Sequence, residues 1–159
     1  DMEAIRWYKL AAQQGFYLAQ DSLASMYFYG YGIEQSYKEA VHWWHKAAEQ
    51  GHSDAQARLG YIYRSGKAAE KDETESVKWF RMAAKQGHMD AQQNLGLMYA
   101  SGQGVPQDYV SAYVWWFRAR KQGSKTAERN LTMLQPLMSQ EEVSKARQKI
   151  SEEQQPTVK

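Results

Sequence analysis

The chain has 159 residues, with 20 Lys and Arg against 18 Asp and Glu, a formal net charge of +2, and no cysteine. The balanced charge argues against a dedicated nucleic-acid binder or a polybasic membrane binder, and the lack of cysteine excludes disulfides, Cys-ligated zinc and a Cys nucleophile. The aromatic-apolar run at 114–117 is far too short to span a membrane, and no signal-peptide pattern is visible in the sequence.

Two sequence blocks recur at a constant offset of 36 residues. The first has the pattern A-Q-x-x-L-x-x-x-Y and lies at 19–27, 55–63 and 91–99. The second begins at Ala4, Ala40, Ser76 and Ala112 and ends at Gly15, Gly51, Gly87 and Gly123. A fixed period of this length predicts repeats that bury a continuous core against their neighbours. Helices built on the two blocks are called first-type and second-type helices below.

In chain order, residues 1–15 are predicted to form the second-type helix of a truncated repeat. The N-terminal cap of this helix falls at position zero when the caps at Ser36 and Asp72 are traced back by one or two periods. We therefore expect that the first half of this repeat is missing, and that the chain is a fragment of a longer array.

Residues 16–51, 52–87 and 88–123 each predict one repeat of two helices. The apolar stripe of a first-type helix, at helical spacing, is Ala55, Leu59, Ile62 and Tyr63. The stripe of a second-type helix is Ala40, Trp43, Trp44, Ala47 and Ala48. Capping boxes predict where second-type helices begin, and they pair Ser36 with Glu39 and Asp72 with Glu75.

Two nearly constant positions of the first-type helices predict contact with a neighbouring helix. Gly60 and Gly96 lie mid-helix, where glycine costs about 1 kcal/mol relative to alanine. A close approach that needs the missing side chain would explain them. Gln56 lies on the same flank of its helix and also recurs between repeats.

Residues 124–138 predict a degenerate half-repeat. Its helix, 126–135, keeps Ala127, Leu131 and Leu134 and ends before Pro136. A capping box at 139–142 then opens a charged capping helix, 139–153, with an apolar face of Val143, Ala146 and Ile150. We expect this helix to cover Leu131 and Leu134, and the tail 154–159 to be disordered.

The pattern A-Q-x-x-L-G-x-M-Y-x-x-G lies at 91–102, and A-x-x-W-x-x-x-A-A-x-x-G-H lies at 40–52. With these motifs the chain resembles the Sel1-like repeat family, a relative of the tetratricopeptide repeat, over about residues 1–135. The resemblance implies an all-α, right-handed α-solenoid of antiparallel helix pairs in a bacterial protein, with first-type helices lining a concave face. The last unit departs from the family pattern at Arg120, Ser124 and Thr132, as a terminal unit should.

His42 and His45 lie three residues apart on one predicted helix, a spacing that can hold a metal ion. Their equivalents in the other repeats are Arg6, Lys78 and Val114, and Lys9, Arg81 and Phe117. Such mixed replacements indicate surface histidines, so neither a metal nor another cofactor is predicted. His52 and His88 follow the glycines that end second-type helices and are predicted to pack in the loops.

Three further patterns have structural interpretations. Residues 30–32 and 102–104 lack the third glycine and the Lys-Ser/Thr pair of a phosphate loop, which indicates interhelical turns. The tryptophan pairs at 43–44 and 115–116 could stack bases or sugars, but aromatic residues occur there in every repeat, which indicates core. A solvated basic face is predicted from Arg118, Arg120, Lys121, Lys125 and Arg129.

The favoured function is a non-catalytic scaffold or adaptor that holds a protein or peptide partner of unknown identity in its concave groove. The resemblance implies roles such as signalling adaptor, assembly factor or bacterial virulence protein. No Ser-x-x-Lys or His-Glu-x-x-His motif supports an enzyme. A carbohydrate- or peptidoglycan-binding module and a weak hydrolase stay open as alternatives, as do bacterial cytoplasm, periplasm and secretion.

The predicted partner-binding positions are the outward residues of the first-type helices. At about 100° per residue from the buried stripe, Ala57, Tyr61 and Arg64 should point outward. Most outward positions change freely between repeats, and Tyr and Arg are enriched in interface hot spots. The predicted set is Ser22, Ser25, Phe28, Tyr29, Arg58, Tyr61, Arg64, Asn94 and Leu97.

Overall fold

The computed structural model describes residues 2–154, which form nine α-helices. They are α1 (Met2–Gln13), α2 (Tyr17–Tyr29), α3 (Tyr37–Glu49), α4 (Ser53–Ser65), α5 (Glu73–Lys85), α6 (Met89–Ser101), α7 (Tyr109–Lys121), α8 (Lys125–Leu134) and α9 (Gln140–Gln154), with a 3-10 helix at Gln135–Leu137. This part of the chain has no strand, which confirms the predicted all-α fold. Helices α2, α4, α6 and α8 are first-type, and α1, α3, α5 and α7 are second-type. Of the predicted disordered tail, 155–159 lie outside the described residues.

The chain forms two compact units that divide after His88. In the first unit, each first-type helix packs mainly on the second-type helix that follows it, α2 on α3 and α4 on α5. Its largest fully buried side chains are Leu23, Trp44, Leu59 and Phe80. In the second unit, α6, α8 and α9 all pack on α7. Buried residues there include Leu95, Met98, Val110, Trp116, Leu131, Leu134 and Ala146.

Each of α3, α5 and α7 begins with a side-chain cap, and the backbone N–H of the same capping residue closes the preceding loop. Ser36, Asp72 and Asp108 accept a hydrogen bond from the backbone N–H three residues on, at 3.3, 3.0 and 3.0 Å. At α3 and α5 only this half of the predicted capping box forms. The N–H of each cap donates instead, at 2.9 Å, to the carbonyl groups of Tyr27, Tyr63 and Tyr99. These tyrosines share one repeat position, so the same bond fixes the same turn in each repeat.

The glycines inside α4 and α6 lie where an aromatic ring of the next helix approaches. A Cβ added to Gly60 would lie 2.6 Å from Cδ1 of Phe80, and one added to Gly96 would lie 2.5 Å from Nε1 of Trp116. Both separations are well inside van der Waals contact, so the helices pair this closely only because the side chain is absent. This confirms the predicted close contact.

A buried glutamine of each first-type helix in the first unit satisfies the end of the preceding second-type helix. Gln56 Nε2 donates to the carbonyl of Ala48 at 3.0 Å, and its Oε1 accepts from Gln86 Nε2 at 2.8 Å. Gln20 makes the equivalent two bonds in α2. Ala48 is in the last turn of α3, and its carbonyl also accepts from the Gly51 N–H at 3.0 Å, so the glutamine side chain adds a second bond at this helix end. The recurring glutamine therefore fixes how one repeat follows the next.

The prediction that Ala57 points outward is wrong, because this residue is 3% exposed. Asp21 occupies the same repeat position, and its Oδ1 accepts a hydrogen bond from Trp44 Nε1 at 3.0 Å. Phe80 replaces that tryptophan in α5 and has no N–H to donate, and the position carries the apolar Ala57 instead. The position thus belongs to the contact with the second-type helix. The exposed side of the first-type helix begins about one residue later, at the position of Arg58 in α4.

The C-terminal helix packs differently from the prediction. Its capping box forms in full, since the Glu142 N–H donates to Ser139 Oγ at 3.2 Å and the Ser139 N–H donates to Glu142 Oε2 at 2.8 Å. Ala146 is fully buried, and Val143 and Ile150 are partly buried. However, the 3-10 helix separates α9 from α8, and α9 packs against α7. It therefore packs chiefly on α7, and its buried Ala146 joins the core cluster that also contains Leu131 and Leu134.

Candidate functional site

The predicted positions on α2 and α4 lie beside one another in the first unit. Nε of Arg58 in α4 is 3.5 Å from Oδ1 of Asp21 in α2. The Arg58 guanidinium lies over the ring of Trp44, 5.5 Å from its centroid, and the Phe28 ring of α2 lies 5.2 Å from the same ring. Trp44 is only 2% exposed. It therefore forms a buried base on which side chains from the two first-type helices meet.

Tyr61 and Arg64 form a second group on α4. The Arg64 guanidinium is 5.5 Å from the Tyr61 ring centroid and 5.9 Å from that of Phe80, and Tyr61 meets the Phe80 ring edge-on at 5.1 Å. Phe80 is fully buried, whereas Tyr61 is 38% exposed. Tyr61 is thus partly exposed while one side of its ring is held by packing, an arrangement common among interface anchors.

An exposed aromatic cluster lies at the end of α2. Tyr29 packs edge-on against Phe28 at 5.0 Å and stacks on Tyr31 at 5.2 Å with 24° between the rings. Tyr29 is 51% exposed and Tyr31 is 64% exposed. Lys67, in the loop after α4, places its ammonium 5.2 Å from the Phe28 ring centroid. We call the surface formed by the predicted α2 and α4 positions the face. The contact between Lys67 and Phe28 brings the C-terminal ends of α2 and α4 to one edge of this face.

Tyr31 and Lys67 are members of this face that the sequence-based prediction missed. Gly30 and Gly32 adopt φ values of 73° and 70°, which confirms the predicted interhelical turn around Tyr31. The turn itself does not need a tyrosine, because the equivalent residues are Lys67 and Gln103. An exposed aromatic residue at a position that other repeats fill with polar residues is the signal that could have identified Tyr31.

The other predicted positions are less prominent. Ser22 and Ser25 of α2 are half-buried. Asn94 Nδ2 donates to the Asp90 carbonyl of its own helix at 2.7 Å, and Leu97 is 43% exposed. These last two positions belong to α6 in the second unit, so the contacts above join only the α2 and α4 positions.

His45 corrects the expectation of surface histidines. It is half-buried, its Nε2 forms a 2.9 Å hydrogen bond with Tyr63 Oη, and its ring meets Trp79 edge-on at 5.3 Å. Burial lowers the pKa of His45 below its usual 6.5. His42 is exposed, as expected. Among residues 2–154 no group of three or more His, Cys, Asp or Glu side chains is placed to hold a metal ion.

The basic residues predicted to form a solvated face in the second unit are partly engaged with neighbours. Arg118 forms an ion pair with Glu153 of α9 and lies 4.3 Å from the Trp115 ring centroid. Lys125 pairs with Glu128 at 3.2 Å. These contacts tie Arg118 and Lys125 to neighbouring side chains of their own unit.

Four segments of the chain, 1–16, 18–52, 53–88 and 90–124, match the family model described as Sel1 repeat. Together these segments make up more than half of the sequence. The chain belongs to the Sel1 repeat family. The second, third and fourth Sel1 segments match the helix pairs α2–α3, α4–α5 and α6–α7, except for the first residues of α2 and α6, Tyr17 and Met89.

Solved structures of other Sel1-type proteins are similar to this chain. A protective antigen present in uropathogenic Escherichia coli strains, which displays an SLR fold, is 43% identical over 78% of this chain with a TM-score of 0.75, and the chain covers 27% of that protein. A Sel1 repeat protein from Oxalobacter formigenes is 40% identical, with 81% of this chain and 97% of that one covered and a TM-score of 0.77. Helicobacter pylori cysteine rich protein B shares the fold, at 24% identity, a TM-score of 0.61, and coverage of 79% and 90%.

No curated protein matches the chain. The family match and these three solved neighbours, which are bacterial proteins, confirm the predicted Sel1 repeat solenoid. Sel1 repeats generally mediate protein–protein interaction and are typically non-enzymatic. None of the described helices is both long and apolar enough to cross a membrane.

Proposed function

We propose that the chain is a non-catalytic scaffold that binds a protein or peptide partner on the outward positions of its first-type helices. The general role follows the family. The positions in this proposal are those on α2 and α4 together with Asn94 and Leu97 of α6.

One observation carries the proposal: α4 holds partly exposed Tyr and Arg side chains that the fold does not require. The equivalents of Tyr61 are Ser25 and Leu97, and those of Arg64 are Phe28 and Ala100. Since all these residues occur in the same helical repeat, the repeat folds without a Tyr or an Arg there. Tyr61 and Arg64 are nevertheless held by Phe80, which limits the entropy that they would lose on binding.

Site-specific photo-cross-linking tests the proposal. A photoreactive phenylalanine analogue would replace Ser25 or Leu97 on the first-type helices, and His42 or Lys78 on the second-type helices as matched controls. In extracts of the native organism we expect one discrete cross-linked partner from the first pair and none from the second. A partner captured from His42 and Lys78 but not from Ser25 and Leu97 would contradict the proposal.

A second candidate function, carbohydrate or peptidoglycan binding, is favoured by the stacked and exposed rings of Tyr29 and Tyr31. Flat aromatic rings of this kind could pack against the apolar face of a sugar. Glycan-array binding that is lost in a Tyr29→Ser, Tyr31→Gln double variant, with no protein cross-linked from Ser25 or Leu97, would favour this alternative.

A further inference from the structure

The two acidic residues on α2 and α4 already have partners within the first unit. They are Asp21 and Asp54. Asp21 accepts the hydrogen bond from Trp44 and lies 3.5 Å from Arg58, while Asp54 lies 3.2 Å from His88. Both are in the N-terminal halves of their helices. The C-terminal halves of α2 and α4 therefore contribute no carboxylate to the face.

Cations lie along the same face on α4 and in the loop after it. Arg58 has a 41% exposed side chain, and Arg64 lies over the Tyr61 ring. Lys67 lies over the Phe28 ring, and no carboxylate among the described residues forms an ion pair with it. A cation that rests on an aromatic ring keeps its charge and can pair with an anion on its other side.

Exposed aromatic rings adjoin these cations, and the repeat does not need them. Tyr29 has Ser65 and Ser101 as its equivalents, and Tyr31 has Lys67 and Gln103. Polar residues therefore support the same helix end and turn. The stacked pair forms an apolar plate beside Phe28, the ring over which the Lys67 ammonium lies. Apolar surface and positive charge thus occur together at one edge of the face.

We propose that this cationic-aromatic strip, defined as Phe28, Tyr29, Tyr31, Arg58, Arg64 and Lys67, binds an acidic peptide segment that carries an apolar side chain beside its carboxylates. The carboxylates pair with Lys67, and the apolar side chain packs on Tyr29 and Tyr31. A peptide is favoured over a nucleic acid because the strip has few cations and the chain's net charge is only +2. The inference rests on the proposed function and adds the chemistry of the partner.

Selection from a random peptide library displayed on phage, with the full chain as bait, tests the inference. We expect enriched peptides that combine Asp or Glu with an aromatic or aliphatic residue, and whose binding weakens as salt is raised. Lys67→Glu should weaken these peptides at least about tenfold, equivalent to about 1.4 kcal/mol. The matched control is Lys85→Glu, which makes the same charge change on exposed α5 surface and should leave affinity unchanged.

A second variant separates binding from folding. Tyr29→Ser with Tyr31→Gln installs residues that other repeats carry at these positions, so the melting temperature should stay near that of the parent chain while affinity falls about tenfold. Neutral or basic peptides that lose affinity with Tyr61→Ser would overturn the acidic chemistry but leave the proposed face intact. Peptides whose affinity is unchanged by every substitution on α2 and α4 would contradict both the acidic-peptide inference and the proposed face. An empty selection, or an oligonucleotide or glycan bound through the strip, would overturn the acidic-peptide inference.

Discussion

His45 illustrates how one repeat position changes its environment along the chain. Its equivalents, Lys9, Arg81 and Phe117, include two cations and one apolar residue. From the sequence alone, this variety indicates an exposed position that accepts different side chains. In the structure the Tyr63 hydroxyl and the Trp79 ring close around the imidazole. The spacing of apolar residues identifies the buried stripe of α3. It cannot predict how far the neighbouring aromatic rings extend beyond that stripe and over His45.

The burial of His45 predicts a pH dependence of stability. Burial lowers its pKa, Glu49 and Glu75 oppose the shift, and Lys78 and His42 add to it. The unfolded chain therefore binds the proton more readily, so the free energy of unfolding should fall as pH drops from about 7 to about 5. Denaturant titrations at both pH values measure it. His45→Phe, which installs the residue found at Phe117, should reduce this dependence; an unchanged pH profile in that variant would contradict the assignment.

Gly60 supports a second prediction at the residue scale. Gly60→Ala should destabilise the chain by about 1–3 kcal/mol from overpacking, even though alanine favours a helix by about 1 kcal/mol. The reason is the 2.6 Å separation between an added Cβ and the Phe80 ring. Equilibrium unfolding measures the change. The cost should shrink in a Phe80→Leu background, and equal costs in both backgrounds would show that the ring is not the cause.

At the scale of elements, the repeat period and the caps were sufficient to predict the helices, because the same cap and glycine signals recur every 36 residues. At α3 and α5 the reciprocal bond of the predicted capping box does not form, and this could not be predicted, since the carbonyl that accepts from the cap N–H instead belongs to a tyrosine in the preceding helix. The packing of α9 could not be predicted either. The repeat pattern decays in α8, and nothing after Pro136 repeats an earlier segment from which its partner could be inferred.

The cap of α7 gives a prediction for one element. Burial raises the pKa of Asp108, but hydrogen bonds from the Ser111 side chain and backbone, the charge of Lys149 and the Val110 N–H together outweigh it and hold this pKa below its usual value. The ionised cap therefore contributes stability above the unfolded pKa, and that contribution is lost as pH falls through the lower folded pKa. Asp108→Ala should cost about 1 kcal/mol in unfolding experiments at neutral pH. Asp108→Ser, the cap that α3 uses at Ser36, should recover most of this; if it does not, the side-chain cap is not the source.

The contact between α9 and α7 gives a second prediction at this scale. Ala146 is fully buried, whereas Ser144 on the same helix is exposed. Ala146→Asp should destabilise the second unit by about 2 kcal/mol or more, because a carboxylate would be buried without a partner. Ser144→Asp is the matched control and should change the melting temperature little. Equal effects of the two substitutions in thermal unfolding would argue against α9 as a capping element.

For the whole molecule, the central claim is that recognition uses side chains that vary between repeats while the repeat-invariant residues build the scaffold. Repeat comparison predicted Tyr61, Arg64 and the aromatic end of α2 as candidates. It failed at Ala57, since that position covers a second-type helix whose aromatic residue changes from Trp44 to Phe80. It also missed Tyr31 and Lys67, because neither lies within a helix and only the folded chain brings them to Phe28.

The most direct measurement is the affinity of the cross-linked partner for a set of variants, determined by isothermal titration calorimetry. Tyr61→Ser, which installs the residue found at Ser25, and Arg64→Ala should each weaken binding by about 1–3 kcal/mol. His42→Ala and Lys78→Ala on the second-type helices should leave it unchanged. The reverse pattern, with full affinity in the α4 variants and a loss in the His42 and Lys78 variants, would contradict recognition by the first-type helices.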